Sequence, residues 1–383
     1  MGGLAVSVKL PNGKTIDLSP NIGGRNPVIH ILDWSAFFDI ALGYDLGLAE
    51  AYLRHKWHSD NLTQLFYTLA HNTNAQGIRG NGGAFPAKVY ARLVQRIRST
   101  NSIYWSRKNI GDHYDLGDAF FGNILDPSMT YSCAVFEPEG IGLSEAQDKK
   151  IDLLLSQSNL TEDDHVLDIG CGWGRLIIKA AENYGCKATG RTLSKNQYDH
   201  CVRLVENLGL QNRVNILFQD YRTVRGQFDH VYSIEMLEAV GDKGLTVFFR
   251  QCDTLLKESG TLTIQAITIP DERYEAYKRN CDFIQKYIFP GGMLPSLGAI
   301  KAAARDSGRF VAENLRSIGN HYETTLSAWR NNLQNNSNRI LELGFTERDI
   351  RRFNYYFSYC EGGFASNHID DYQIVFRKAG HVV

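Results

Sequence analysis

The sequence predicts an α/β protein built on an open, mostly parallel, doubly wound sheet, with a small α+β domain ahead of it. Three observations predict it. Short β-rich runs alternate with helical stretches from about Asp152 onward, a glycine-rich turn follows the first of those strands, and an alternating hairpin pattern opens the chain. The 383 residues, 43% hydrophobic and 22% charged, are enough for one large core or two unequal ones.

The elements follow in order. Residues 4–10 alternate apolar and polar, Pro11-Asn12-Gly13 makes a turn, and residues 15–18 resume the alternation, so a β-hairpin is expected. Apolar positions then recur at helical spacing through 34–42, 46–54 and 61–71. Residues 72–85, with Gly77, Gly80, Gly82 and Gly83 among three asparagines, read as a flexible connection. The domain boundary is placed near residue 105, dividing the chain into 1–105 and 106–383. Beyond it, Val166-Leu167-Asp168-Ile169 predicts a strand feeding a helix from Arg175. Residues 186–189 predict a second strand before a helix from Lys195, and 214–218 and 230–233 predict two more. In such a sheet the ligand crevice lies at the carboxyl ends of the strands.

Composition narrows the function classes. A formal net charge of −1 gives the chain no overall pull toward nucleic acid. Seven scattered cysteines with no CxxC pair and no zinc-type histidine spacing predict reduced, cytosolic thiols and no metal. The N-terminus lacks a basic segment followed by an apolar one, and no window reaches the ~18 apolar residues of a membrane span. A soluble, cytoplasmic protein that visits membranes is expected. Charge is nonetheless uneven. Between Asp60 and Asp112 no acidic residue occurs, whereas Arg79, Lys88, Arg92, Arg96, Arg98, Arg107 and Lys108 are all basic. Lys88, Arg92 and Arg96 share a helical face with Val89, Leu93 and Ile97 beside them, which suits an anionic membrane surface bound through 79–108. The same spacing also suits a solvated helix whose charges answer acids elsewhere in the fold.

The sharpest local signal runs from Val166 to Gly174. Gly170, Gly172 and Gly174 allow a tight turn and close approach of a ligand, and Asp168 at the strand end offers a carboxylate to the cationic amino group of an amino-acid moiety. A dinucleotide turn requires G-x-G-x-x-G, but residue 175 is arginine and the third glycine comes one position early. The turn therefore favours S-adenosylmethionine over NAD, while Arg191 beyond the second strand keeps an NADP reading open. Gln219, Asp220 and Tyr221 follow the third strand, where an amide or carboxylate meets an adenine amino group; an ordinary polar loop is the other reading.

Several separate stretches carry a family resemblance: Tyr114-Asp115-Leu116-Gly117, residues 125–134 with Tyr131-Ser132-Cys133, the glycine turn, Thr192 to Gln197, Asp220-Tyr221-Arg222, Glu235-Met236-Leu237-Glu238, Tyr287 to Gly292, and Tyr322 to Leu326. Together they resemble the cyclopropane-fatty-acyl-phospholipid synthases, and the catalytic domain is similar to that of the mycolic-acid cyclopropane synthases. The resemblance implies a Rossmann-like class I methyltransferase domain. It implies transfer of a one-carbon unit from S-adenosylmethionine to the double bond of an unsaturated phospholipid acyl chain, through a carbocation. It also implies that Tyr131 and Ser132 lie over the methionine part of the cofactor with Gly170 and Gly172 beneath it, that Thr192 and Gln197 face the ribose, and that Asp220 and Tyr221 lie near the adenine. Self-association as a homodimer is in keeping with this kind of enzyme.

The chemistry requires close positioning and a dry pocket, because an alkene is a weak nucleophile, and aromatic faces to stabilise the cation. The family uses a bound bicarbonate ion as base. Its ligands match Cys133 and Ile267 through their backbones, Glu238, and Tyr322. Bland readings stand beside these: a small core cysteine, an acid at a helix start, a packed tyrosine. Many family members carry histidine after the glutamate and again at the ion, where this chain has Ala239 and Gln265. Glutamine takes no proton at neutral pH, which leaves open a cyclopropane ring against a methylene or methyl-branched product. Residues 287–297, with Ile288, Phe289, Met293 and Leu294 around a Pro-Gly-Gly turn, read as a hinged apolar wall over the acyl chain or as a tight turn in the core. Rival functions are a small-molecule N- or C-methyltransferase, an NADP oxidoreductase, and a lipid-binding protein without turnover.

Overall fold

The computed structural model describes residues 5–18, 26–76, 116–307 and 309–378, with backbone alone for 73–76. The expected hairpin is present as β1 (Ser7–Lys9) and β2 (Thr15–Asp17), paired antiparallel. It belongs to a four-stranded sheet, β2-β1-β3-β4, completed by β3 (Val28–Ile31) and β4 (Trp57–Ser59). The register of β3 and β4 sets His30 opposite His58 with their rings stacked at 4.5 Å, and the Asp60 carboxylate lies 3.2 Å from His30. Among the described residues this is the one group of three side chains whose metal-ligating atoms lie within 4.8 Å of one another; no metal-ligand spacing was legible there, because the strand pairing creates it.

Two helices expected at 34–42 and 46–54 form one helix, Ala36–Leu53, broken by a kink at Tyr44 with φ 52° and ψ −122°. The next helix, Leu62–Gln76, runs past the expected end, so residues 72–76 are helical rather than part of a loose connection. The remainder of that connection, the basic stretch 79–108 and the boundary near 105 lie outside the described residues. Among the described residues no helix is long and apolar enough to cross a membrane. None of the seven cysteines, all within the described residues, forms a disulfide.

The strands of the large sheet are β5 (His165–Ile169), β6 (Lys187–Thr192), β7 (Val214–Phe218), β8 (Phe228–Ile234), β9 (Leu256–Thr268), β10 (Phe310–Ser317) and β11 (Asp370–Lys378). Their order is β10-β11-β9-β8-β5-β6-β7. β5 to β9 pair in parallel, and β11 joins β9 and β10 antiparallel. This is the mostly parallel, doubly wound sheet that the sequence predicts. The winding leaves β5 toward β6 in one direction and toward β8 in the other, so the crevice opens at the carboxyl end of β5, where the glycine turn sits. Successive β5 residues serve opposite faces: Val166 joins the core under the helix Arg175–Tyr184, and Leu167 and Ile169 join the core around Phe248 and Phe249.

A third core lies at the crevice end and draws on both ends of the chain. Val6, Ile31, Leu53, Trp57 and Phe66 pack in the same apolar cluster as Tyr322, Trp329, Phe353 and Phe357. Arg351, on the helix Glu347–Ala365, sits 3.9 Å over the Tyr52 ring and donates to the Tyr52 carbonyl at 2.7 Å.

Candidate functional site

The site begins at the turn after β5. Gly170, Gly172 and Gly174 have φ of 90°, 53° and 92°, the left-handed region where a side chain is strained. A Cβ on Gly170 would stand 2.9 Å from Met236 Cγ, whereas one on Gly172 would meet nothing within 4 Å. Gly172 thus presents bare backbone to open space in a cavity of about 750 Å³, and Gly174 starts the helix Arg175–Tyr184 away from that cavity.

Asp168, just before the turn, is 3% exposed, and its Oδ1 has no hydrogen-bond partner among the described residues. Burial pushes its carboxyl up to about 7, against the pull of Lys150. A buried acceptor without a donor is costly, and a cationic amino group entering the cavity satisfies it. The donor set and the bare glycine backbone therefore fit the amino-acid end of S-adenosylmethionine. Ser132 closes the same corner: its Oγ accepts from the fully buried Lys150 Nζ at 2.7 Å, and its carbonyl accepts from Gln147 at 2.8 Å. Burial pulls Lys150 below its ordinary range.

At the ends of β6 and β7, Thr192 donates to Gln197 Oε1 at 2.7 Å, and Ser194 caps the helix Lys195–Asn207. Both Thr192 and Gln197 line the cavity. Asp220 also lines it, but two nitrogens of the Arg222 guanidinium grip its carboxylate, each at 2.7 Å. Burial alone would raise Asp220; Arg222 holds it below the ordinary carboxylate range. Gln219 is not among the lining residues, and its carbonyl accepts from Arg191 Nε at 2.6 Å. Arg191 is 2% exposed, 5.7 Å from the Tyr221 ring, and lowered to about 10 by burial. It nonetheless lines the cavity, and its Nη2 has no hydrogen-bond partner among the described residues.

The deeper end of the cavity holds a cluster of acids. Glu235, at φ 49°, accepts from Cys133 N–H at 2.8 Å, from Gln265 Nε2 at 2.8 Å and from the Tyr322 hydroxyl at 2.6 Å. The left-handed backbone costs a residue with a side chain about 1 kcal/mol relative to glycine. Glu238 accepts from Ile267 N–H at 2.6 Å; burial, then Glu235, push its carboxyl up to about 8. Asp371 accepts from Gln265 at 3.1 Å, and burial with the two glutamates puts it well above the carboxylate range. Tyr322, Glu238 and Ile267 line the cavity together with Glu235; Cys133 and Gln265 stand behind them. Their placement comes from the tight turn after β8 and from β11, whose register sets Asp371 opposite Ile267 and Gln373 opposite Gln265.

The remaining wall is aromatic and comes from distant segments: Tyr44, Phe66, Phe289, Tyr355, Tyr356 and Tyr359 among others. The Pro-Gly-Gly segment forms part of it and is tied at both ends. Met293 N–H donates to the Glu238 carbonyl at 2.7 Å, and Glu50 on the first helix accepts from Lys286 at 2.5 Å and Tyr287 at 2.7 Å.

Four contributors were not singled out from the sequence. Lys150 and Gln147 sit on the core face of the helix Leu143–Ser156 with Ala146, Ile151 and Leu154, so polar residues on an apolar stripe were the available signal. Glu235 stood within a quoted motif without a role. Asp371 had no local signal at all.

Residues 102–374 match the mycolic acid cyclopropane synthetase family. The chain is 36% identical to a tuberculostearic acid methyltransferase of Mycobacterium tuberculosis, over 88% of this chain and 79% of that protein. It is 33% identical to the cyclopropane-fatty-acyl-phospholipid synthase of Escherichia coli K12, over 87% of this chain and 83% of that one. The solved mycolic acid cyclopropane synthase CmaA1, complexed with SAH and CTAB, superposes with a TM-score of 0.67 at 34% identity, covering 71% of this chain and 98% of the other.

Proposed function

The chain belongs to the mycolic acid cyclopropane synthetase family and is an S-adenosylmethionine-dependent methyltransferase, and from that premise we propose that it adds one carbon to the double bond of an unsaturated phospholipid acyl chain. One observation carries the reading: a single cavity joins the Asp168 carboxylate, whose Oδ1 has no partner among the described residues, and bare Gly172 to an aromatic chamber ending at Tyr322 and Glu238. When bound, S-adenosylmethionine supplies an electrophilic methyl group. Asp168 holds its ammonium group, Gly170 and Gly172 admit its body, and Tyr131 and Ser132 cover it. Thr192 and Gln197 take the ribose, and Tyr221, with the Asp220–Arg222 pair, borders the adenine. The faces of Tyr131, Tyr322 and Phe289 exclude water from the acyl chain and stabilise positive charge on it. The cyclopropane synthases named above and the tuberculostearic acid methyltransferase support this substrate class, and ring and branch arise from one cation by loss of different protons.

Membrane attachment belongs to the same proposal. On the first half of the helix Ala36–Leu53 and the turn before it, Leu32, Trp34, Phe37, Phe38 and Leu42 are exposed, Phe38 at 72%, and Tyr44 of that helix lines the cavity. An apolar face beside the cavity, together with the basic residues between 79 and 108, supports a cytoplasmic protein held peripherally on an anionic leaflet. We assign residues 1–105 to this docking role and 106–383 to catalysis.

The test supplies methyl-labelled S-adenosylmethionine and unsaturated phospholipid vesicles and weighs the released acyl chains. A gain of one CH2 group is expected, and fragmentation tells ring from branch. Label on a soluble amine, with none in lipid, overturns the reading in favour of a small-molecule methyltransferase. Binding to anionic vesicles is expected to weaken with salt; equal binding to neutral vesicles would count against the docking role.

A further inference from the structure

We infer that Glu235 is the proton acceptor of the reaction, a carboxylate carried by the chain itself at the position where the family resemblance implies a bound bicarbonate ion. The inference rests on the one-carbon transfer proposed above.

The groups matched to the ion's ligands are already engaged within the protein. Cys133 N–H and the Tyr322 hydroxyl both donate to Glu235, at 2.8 and 2.6 Å, on different oxygens. The side chain at 265 joins them: Gln265 Nε2 donates to the oxygen that Cys133 holds, at 2.8 Å. The other two groups, Glu238 and Ile267 N–H, bond to each other at 2.6 Å. No donor of this set is left for a diffusible anion, and an anion there would stand among the carboxyls of Glu235, Glu238 and Asp371. The backbone says the same. Residue 235 adopts φ 49°, where glycine fits with less strain, yet the chain places a long acid there and aims it at the cavity. Glutamine at 265 becomes intelligible in this arrangement. It orients a base without being one: Nε2 bridges Glu235 and Asp371, and Oε1 accepts from Gln373 at 3.1 Å.

In the step assigned to Glu235, a C–H bond breaks either on the transferred methyl group or on the chain carbon that received it, the neighbour of the cationic carbon. Its electron pair closes onto that carbon, as a ring bond or a double bond, and the proton passes to a Glu235 carboxylate oxygen. Release of the proton to water as product leaves restores the carboxylate. No ion enters from solution.

The experiment uses the full chain, buffer stripped of carbon dioxide, and three proteins: wild type, Glu235→Gln and Glu235→Gly. Calorimetric titration with S-adenosylmethionine, expected within about threefold for all three, shows that fold and cofactor site survive. Wild-type lipid labelling is expected to stay within about twofold when bicarbonate is added. Both variants should lose about a hundredfold or more, the scale of a lost general base. Glu235→Gly opens room for an anion, and added bicarbonate should restore at least about tenfold of its rate, saturably; Glu235→Gln, whose amide fills the space, should not respond. Carbon-13 bicarbonate should broaden on binding Glu235→Gly and not wild type. A wild type that requires or binds bicarbonate overturns the inference, as does Glu235→Gln labelling lipid at the wild-type rate. If wild type labels no lipid while the bicarbonate spectra behave as expected, the one-carbon reading fails and the occupation of the ion's position by Glu235 stands.

Discussion

Asp168 and Glu238 retain protons that exposed carboxyls release, at about 7 and about 8, because the protein has removed water from around them. An ammonium ligand needs Asp168 ionised, so affinity for S-adenosylmethionine should rise with pH through about 7 and then level. Asp168→Asn should flatten that rise and weaken binding by about tenfold to a hundredfold; calorimetry between pH 6 and 8 measures both. The sign for stability is opposite. Unfolded carboxyls release their protons near pH 4, so between there and the native values the folded state holds more protons, and the melting temperature of the ligand-free protein should fall as pH climbs toward 8. Asp168→Asn should remove part of that slope. Asp168 was legible in the sequence because a strand-end acid followed by glycines is a local pattern. Glu235 was not, because its partners Cys133, Gln265 and Tyr322 lie 102, 30 and 87 positions away and only the folded sheet brings them together.

Among elements, the strand–turn–helix unit from β5 was legible because each part of it is local, and two of its glycines separate fold from function. Gly170→Ala meets both a left-handed backbone and Met236 at 2.9 Å, and should cost about 2–3 kcal/mol in denaturant unfolding. Gly172→Ala meets only the backbone strain, about 1 kcal/mol, but puts a methyl group into the cavity, so cofactor affinity should suffer more than stability. The helix pair Leu62–Gln76 and Glu347–Ala365 depends on a third glycine. A Cβ on Gly362 would stand 2.5 Å from Tyr67 N, so Gly362→Ala should force the helices apart at a cost of about 1–3 kcal/mol, read from the urea midpoint. The strands β3 and β4 escaped the sequence because three or four residues give no usable alternation, and the kink at Tyr44 broke the helical spacing into two apparent helices.

For the whole molecule, the parallel sheet and its crevice were readable from periodicity, while the shared core was not, since packing residue 66 against residue 355 leaves no trace in either segment. Removing residues 1–105 should uncover the aromatic face of the helix Glu347–Ala365 and open one cavity wall. The shortened chain is expected to bind the apolar dye ANS and to lose its cooperative melt; a sharp unfolding transition near that of the full chain would contradict the shared core. The Pro-Gly-Gly segment adds a last consequence. One end of it is fastened to the amino-terminal helix at Glu50, the other to the main chain of Glu238. A tail too bulky for the chamber therefore pushes on the same strap that steadies the reacting end, and poor fit is felt as lost speed instead of lost grip: kcat, more than KM, should sort fatty chains by length.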